Sequence, residues 1–220
     1  MGSILLAVFP GTGAERTVEP ATPWHRVAHV NHTDLPQDTA QREPWHTTTA
    51  LMTDHYELTM LQAALKAGTA QRRSRFELFT RRLADGRRYG VVAGTGRILE
   101  GLSRFRFGTA ELDHLADTKV VDDATLQWLA DFRFSGTIIG YAEGEAYFPH
   151  SPILQVESTF AEACILETFL LSVMNYDSAV ASAASRMTAV ADGRPCAEMG
   201  SRRTHEESAC LLYTSPSPRD

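Results

Sequence analysis

The sequence predicts a mixed α/β fold, because stretches with helical spacing alternate with stretches typical of strands. Apolar residues recur every three or four positions across 54–68, whereas 75–82 reads as a strand. Residues 136–158 carry β-branched runs broken by glycine and proline, and a strongly apolar helical region follows. With 220 residues, 43% of them hydrophobic and 22% charged, the chain suits one large soluble domain or two small ones.

The first helix is expected to begin at Thr53 or Asp54, either of which can cap it, and to end at Gly68. The turn "AGTGR" at 93–97 feeds a second helix. It lacks the third glycine of a dinucleotide fingerprint and the lysine of a P-loop, so it is interpreted as structural. Two short helices are expected within 110–132, and two or three strands within 136–158.

Two further helices are predicted after these strands. Thr159 and Glu162 have capping-box spacing at the start of the first, over 159–175. The second is expected to begin at Asp177 and to stop at Gly193, and its many Ala and Ser residues allow close packing. A short strand is predicted at 194–201.

A candidate anion site follows that strand. Gly200 allows a sharp turn or a close approach to a ligand, and Thr204 and Glu207 have the spacing that starts a helix. Free N–H groups at a helix start, beside Ser201 and the planar donors of Arg202 and Arg203, suit phosphate or carboxylate oxygens.

The alternative is an ordinary solvated surface. Arg202 and Arg203 can simply pair with Glu206 and Glu207, and His205 alone does not indicate a catalyst. The residues themselves leave both interpretations open.

Composition restricts the class of protein. A formal net charge of −6 argues against nucleic acid as the main partner. The start of the chain resembles neither a signal peptide nor a membrane span. Cys164, Cys196 and Cys210 form no CxxC pair, so neither a disulfide framework nor a metal site is expected, and the cytoplasm is the expected location.

Five segments, taken together and in order, resemble the nicotinate phosphoribosyltransferase family in its actinobacterial form, and the resemblance runs from about residue 47 to Ala209. The segments are "ALMTDHYELTMLQAAL", "FELFTRRLADGRRYGVVAGTGRILE", "LADFRFSGTIIGYAEGEAYFPHSPILQVE", "LETFLLSVMNYDSAVASAASRM" and "EMGSRRTHE".

The resemblance implies an N-terminal α+β domain followed by the irregular α/β barrel of type II phosphoribosyltransferases. It implies a ligase or glycosyltransferase of NAD biosynthesis that forms nicotinate mononucleotide and pyrophosphate from nicotinate and phosphoribosyl pyrophosphate. ATP hydrolysis through a phosphohistidine, assistance by Mg²⁺ and a homodimer are implied as well. No motif visible in this chain binds ATP or Mg²⁺.

The same resemblance assigns roles to individual residues. Tyr56, in "TDHY", matches the aromatic residue that stacks on nicotinate from the partner subunit. Arg202 and Arg203, in "GSRRTHE", match arginines of the substrate and phosphate site, which supports the candidate anion site with Gly200 and Ser201. Arg81 is a weaker candidate for a phosphate contact across the dimer. The family's phosphohistidine lies further downstream, so no catalytic residue is assigned.

The expected organisation has four parts. Residues 1–46 are a disordered or non-native extension, 47–158 the α+β domain, and 159–209 the beginning of a truncated barrel. A whole barrel takes about 250 residues, so we expect this chain to be inactive by itself. The last part, 210–220, resembles one reading frame of a transposase sequencing adapter and is expected to be artefactual.

Two other functions remain open at this point. One is a sister type II phosphoribosyltransferase that acts on nicotinamide or quinolinate. The other is a non-catalytic module that binds nicotinate or dimerises.

Overall fold

The computed structural model describes residues 4–10, 48–83 and 86–197, the first of these as backbone only. Within these ranges the elements follow in the order β1 Ile4–Pro10, α1 His55–Lys66, β2 Arg73–Thr80, β3 Gly90–Val91, α2 Thr95–Ser103, α3 Thr109–Asp117, α4 Asp123–Asp131, β4 Thr137–Gly140, β5 Ala146–Tyr147, β6 Pro152–Thr159, α5 Phe160–Cys164 and α6 Glu167–Ala191.

A four-stranded antiparallel sheet in the order β1-β2-β6-β4 supports the fold, and β3 pairs separately with β5. Phe76 of β2 lies opposite Val156 of β6, which in turn lies opposite Ile138 of β4. All three side chains are buried. Because alternate residues of a strand face the same side, this register gives the sheet one apolar face.

Ile4–Pro10 forms a strand, β1, within the 1–46 extension that is expected from the sequence to be disordered or non-native. This strand pairs with β2 along its whole length, from Ile4 opposite Thr80 to Pro10 opposite Ser74. A short apolar run carries no sign of a partner so distant in sequence, and the open edge of β2 supplies that partner. Residues 11–46 lie outside the described residues, and the domain boundaries remain predictions.

The first four helices appear where the sequence predicts them. Asp54 is the N-cap of α1, and Gly68 follows the helix with a φ of 65°. Asp122 caps α4 by accepting the Thr125 N–H at 3.0 Å. This agreement follows from capping, which is a local signal.

The predicted boundary at Asp177 is wrong. A single 25-residue helix, α6, runs through it, and the break falls earlier, at Ile165 and Leu166 between α5 and α6. Asp177 resembles a cap in sequence, but its carboxylate pairs with Arg97 of α2 in the interior of the fold. The predicted stop at Gly193 is confirmed, since Asp192 and Gly193 both adopt positive φ.

The start of α5 confirms half of the predicted capping box. The Thr159 hydroxyl accepts the Glu162 N–H at 3.2 Å. The Glu162 carboxylate accepts instead from Ser135, through its N–H at 3.1 Å and its hydroxyl at 2.9 Å, and also from the Ser158 hydroxyl. Of the strand predicted at 194–201, residues 194–197 are irregular and the others lie outside the described residues.

Phe105 lies at the centre of the helical side of the core. Its ring is 5.9 Å from that of Phe107 and 5.8 Å from those of Phe132 and Phe169, measured between centroids. Edge-on and tilted aromatic pairs of this kind each add about 0.5–1.5 kcal/mol beyond area burial. This cluster joins α6 to the segments around α2 and α4. Among the described helices, none has the length and apolar character needed to cross a bilayer.

Candidate functional site

Tyr56 stands in the first turn of α1 and is 46% exposed, while its hydroxyl hydrogen-bonds with Glu167 and Glu57. Met60, one turn later in α1, is exposed on the same helical face, and Leu51 and Met52 are exposed in the segment that precedes the helix. These four side chains are here called the α1 stripe. An exposed apolar stripe of this kind marks a surface that meets a ligand or another protein surface.

Glu57, the residue after Tyr56, is fully buried and holds two helix starts together. One of its carboxylate oxygens accepts the Asp54 N–H at 3.1 Å and the Thr53 hydroxyl. The other accepts the Thr168 N–H at 2.9 Å and the Thr168 hydroxyl at 2.6 Å. A single carboxylate therefore satisfies an unpaired N–H at the start of α1 and another at the start of α6.

Thr168 is shared between two carboxylates. Its hydroxyl lies 2.6 Å from Glu57 and 3.0 Å from the Asp54 carboxylate. Since a hydroxyl has one hydrogen, it donates to one of them at a time, and the shorter distance favours Glu57. The N-cap residue of α6, Leu166, has no side chain that could do this work. Glu57 thus supplies from α1 the cap that α6 lacks.

Burial around Glu57 disfavours further negative charge on the neighbouring side chains. Burial, and after it the charges of Glu167 and Glu57, raise the pKa of the Tyr56 hydroxyl well above its ordinary value. Burial also raises the pKa of Glu167, and Glu57 adds to this effect. The pKa of the buried Cys164 thiol rises to about 12, through burial and then the same two carboxylates. Tyr56 therefore stays neutral at physiological pH, which suits a stacking role and not a proton transfer.

Arg81 lies directly after β2 and is exposed, as are Arg82, Arg87 and Arg88 on the same connection. Among the described residues, no carboxylate forms an ion pair with any of these four side chains. Unpaired, exposed guanidinium groups are suited to anionic groups of a ligand. The surface around Arg81 is thus locally basic in a chain of net charge −6.

The structure does not bring the predicted site residues into contact with one another. Within its described part, Tyr56 and Arg81 share no hydrogen bond, ion pair or ring contact. The positions of the predicted anion site, Gly200, Ser201, Arg202 and Arg203, lie outside the described residues, so that site remains a prediction.

The "AGTGR" turn is structural, as the sequence predicts. One oxygen of Glu143 accepts the Gly94 N–H at 3.1 Å, the Thr95 hydroxyl at 2.9 Å and the Gly96 N–H at 3.0 Å. Gly94 has a φ of 106°, a conformation that side chains other than glycine rarely adopt. The protein's own carboxylate therefore occupies the anion position at the start of α2.

Small residues bring α6 close to β3, as their spacing indicates. The Ser182 hydroxyl accepts the Val91 N–H at 2.8 Å, and the Ser178 hydroxyl contacts both backbone groups of Ala93, at 3.2 and 3.1 Å. Arg186 extends the contact by donating to the Tyr89 carbonyl at 2.5 Å with its guanidinium 4.7 Å from the ring centroid. These bonds satisfy backbone groups in and next to β3, which within the described residues pairs with β5 alone.

The network around Glu57 is what reasoning from the sequence missed. Asp54 and Glu57 have the spacing of a capping box, so a signal for the half within α1 was present. The bond to Thr168 connects positions 111 residues apart, and no local pattern could indicate it. Within the described ranges, no group of three His, Cys, Asp or Glu side chains is arranged to hold a metal ion.

Comparison with known proteins agrees with the architecture. A sequence model described as the nicotinate phosphoribosyltransferase (NAPRTase) N-terminal domain matches residues 51–175. Nicotinate phosphoribosyltransferase pncB1 of Mycobacterium tuberculosis is 59% identical over 159 residues, which cover 72% of this chain and 35% of that protein. The Bacillus subtilis nicotinate phosphoribosyltransferase is 33% identical over 162 residues, covering 74% of this chain and 33% of that protein.

Solved structures show the same fold. The crystal structure of human nicotinic acid phosphoribosyltransferase matches with a TM-score of 0.67 and 31% identity, covering 73% of this chain and 34% of that one. The Pyrococcus furiosus nicotinate-nucleotide pyrophosphorylase matches with a TM-score of 0.55 over 80% of this chain and 39% of that one. At 19% identity, that second match concerns the fold alone.

The chain spans about a third of the length of the curated relatives it matches. The family's N-terminal domain covers more than half of the chain, and the described elements follow the fold of the human enzyme. The chain belongs to the nicotinate phosphoribosyltransferase family, whose N-terminal domain it carries.

Proposed function

We propose that this chain is the N-terminal part of an enzyme that joins nicotinate to phosphoribosyl pyrophosphate, forming nicotinate mononucleotide and pyrophosphate in NAD biosynthesis. The observation that carries the proposal is the 59% identity with the Mycobacterium tuberculosis enzyme over 159 residues. The reaction belongs to the longer protein, and the 220-residue chain by itself is expected to be inactive.

In this proposal Tyr56 stacks on the nicotinate ring. The exposed, neutral ring on a helix start anchored by buried hydrogen bonds supports that role. An aromatic pair contributes about 0.5–1.5 kcal/mol beyond the area it buries. Arg81 binds a phosphate oxygen, a role supported by its exposure and by the lack of an ion pair with any described carboxylate. Gly200, Ser201, Arg202 and Arg203 complete the anion site as the sequence predicts.

The proposal includes a homodimer in which Tyr56 serves the partner subunit's site. The α1 stripe supports it, because four large apolar side chains that are exposed within ten residues of each other favour a protein contact. The test is to introduce Met52→Lys and Met60→Lys into the longer protein and to measure its oligomeric state. Loss of the dimer supports the proposal, whereas an unchanged dimer places the contact elsewhere.

ATP hydrolysis and Mg²⁺ belong to the proposed reaction through the family. In the described part of the chain, no group of three His, Cys, Asp or Glu side chains is placed to hold a metal ion. We therefore assign no Mg²⁺ ligand here and derive no step through the ion. The resemblance implies that ATP would supply a phosphoryl group to a histidine of the longer protein, and no described residue is assigned to that step.

The sister activities on nicotinamide or quinolinate are not favoured, because the matching family and the relatives at 33–59% identity are nicotinate phosphoribosyltransferases. No observation specifically supports a non-catalytic module.

A chimera tests the proposal. In it, residues 51–197 of this chain replace the matching third of the Mycobacterium tuberculosis pncB1 protein. Formation of nicotinate mononucleotide from nicotinate, phosphoribosyl pyrophosphate and ATP is expected, with no product from nicotinamide or quinolinate. A folded chimera that makes no nicotinate mononucleotide would contradict the proposal.

A further inference from the structure

We propose that Glu57 is a positioning residue for Tyr56: by capping α1 and α6 at once, it fixes the start of α1 in the place from which the Tyr56 ring meets nicotinate. This inference rests on the proposed function for the role of Tyr56. That Glu57 fixes the start of α1 is inferred from the geometry alone and does not depend on the proposed function.

The first step of the argument is the position of Glu57 in the chain. A single peptide bond separates it from Tyr56, so whatever holds Glu57 also holds the backbone that carries the ring. The Glu57 carboxylate accepts from Thr53, Asp54 and Thr168, and its backbone carbonyl accepts the Cys164 thiol at 3.8 Å. The residue is therefore anchored on both its side chain and its main chain.

The second step concerns what else holds Tyr56. Its carbonyl accepts a bond from the Thr59 hydroxyl of its own helix at 2.9 Å, and its own hydroxyl hydrogen-bonds with Glu167 and Glu57. The contact with Glu167 holds the hydroxyl end of the side chain and not the backbone of the helix start. Thr59 moves with α1 and cannot fix the helix against the rest of the fold. The bonds from Glu57 to Thr168 cross from α1 to α6 and can do so.

The third step is that both bridged groups are helix starts. The carboxylate faces the positive ends of two helices, where negative charge is favourable. Thr168 lies in the first turn of the 25-residue α6, which packs Phe169 and Leu170 into the core. The bonds therefore fix the start of α1, and Tyr56 with it, relative to the longest helix described.

The test measures backbone order by ¹⁵N relaxation in the 220-residue chain. In Glu57→Gln we expect the amide order parameters of residues 54–58 to fall from about 0.85, typical of a rigid backbone, to below about 0.6. The matched control is Glu162→Gln, which also alters a multiply bonded carboxylate but one that serves Ser135 and Ser158. There the order of 54–58 should stay near its original value.

A second test measures KM values in the chimera described under the proposed function. Glu57→Gln should raise KM for nicotinate by roughly two- to tenfold, the loss expected for a displaced aromatic contact. KM for phosphoribosyl pyrophosphate should not change. In a Tyr56→Ala background Glu57→Gln should have no further effect on KM for nicotinate, because it acts through the tyrosine.

The inference would be overturned by unchanged order at 54–58 in Glu57→Gln, or by an equal loss of order in the Glu162→Gln control. A persisting effect of Glu57→Gln in the Tyr56→Ala background would also overturn it. Failure of the proposed function has a different signature. If Tyr56→Ala leaves KM for nicotinate unchanged, Tyr56 is not the stacking residue, while the order parameters still decide whether Glu57 fixes the helix start.

Discussion

The carboxylate of Glu57 in α1 accepts the backbone N–H of Thr168 in α6 at 2.9 Å, and the Glu57 side chain is fully buried. Two helices that begin 112 positions apart in sequence, at His55 and Glu167, thus share one cap. This bond places the α1 stripe and Tyr56 relative to the core.

Removing the shared acceptor should destabilise the fold more than removing one donor. Glu57→Gln replaces a carboxylate oxygen by an amide donor, which faces N–H and O–H groups and leaves buried donors unpaired, at about 1–3 kcal/mol. Thr168→Val keeps the Thr168 N–H and loses only the hydroxyl, so we expect about 1 kcal/mol. Urea unfolding monitored by circular dichroism measures both values. The reverse order of the two variants would contradict the dual-cap arrangement.

The ion pair between Arg97 and Asp177 should respond asymmetrically. Arg97→Ala leaves the fully buried Asp177 carboxylate without its guanidinium and should cost about 3–5 kcal/mol. Asp177→Ala should cost less, because the Arg97 side chain is 42% exposed and can be solvated. Thermal and urea unfolding of the two variants give the comparison. Equal losses would show that packing, and not charge, governs this contact.

Gly101 should not tolerate alanine, although alanine favours helices. A Cβ there would stand 2.4 Å from the Cζ of Phe169. Helix propensity favours Ala by about 1 kcal/mol, and overpacking costs about 1–3 kcal/mol, so Gly101→Ala should destabilise. In a Phe169→Leu background the clash is relieved, and the same substitution should be neutral or stabilising. A double-mutant cycle without such coupling would refute the close approach.

Cys164 should resist alkylation while the protein is folded. Raising its pKa from 9.0 to about 12 leaves roughly a thousandfold less thiolate at a given pH. The exposed Cys196 serves as the internal control. After iodoacetamide treatment at pH 8, peptide mass spectrometry should find Cys196 modified and Cys164 intact until urea is added. Equal modification of both cysteines in the native chain would contradict the burial of Cys164.

Glu167 should make stability depend on pH. Its pKa is raised in the folded state, chiefly by burial, so the folded chain binds this proton more tightly than the unfolded chain does. The associated stability is fully present below the unfolded pKa of about 4.3 and is lost as pH rises through the folded value. Relative to wild type, Glu167→Gln should therefore gain stability as pH rises above about 4.3, as followed by urea unfolding at each pH. A difference that does not vary with pH would contradict the shift.

The sequence predicts the local parts of this fold well. Asp54, Thr159 and Gly193 mark helix ends through hydrogen bonds and backbone angles within a few residues, and each is confirmed. The prediction that Asp177 caps a helix is wrong because an Asp in the sequence can equally be the buried partner of an arginine, here Arg97. Local sequence does not distinguish the two, since the partner is 80 residues away.

The long-range parts had no local signal. The pairing of Ile4–Pro10 with β2 and the bond from Glu57 to Thr168 depend on how the chain returns on itself. Tyr56 was identified through the resemblance of "TDHY" to the family, since its helical position alone suggested a core or interface residue. Its exposure in the α1 stripe excludes the core within the described chain.

The most direct test of the account is KM for nicotinate in the chimera carrying Tyr56→Phe and Tyr56→Ala. Phe keeps the stacking ring and should leave KM within about twofold, whereas Ala should raise it roughly two- to tenfold with KM for phosphoribosyl pyrophosphate unchanged. Equal KM values in wild type, Phe and Ala chimeras would contradict the claim that this domain presents Tyr56 to nicotinate.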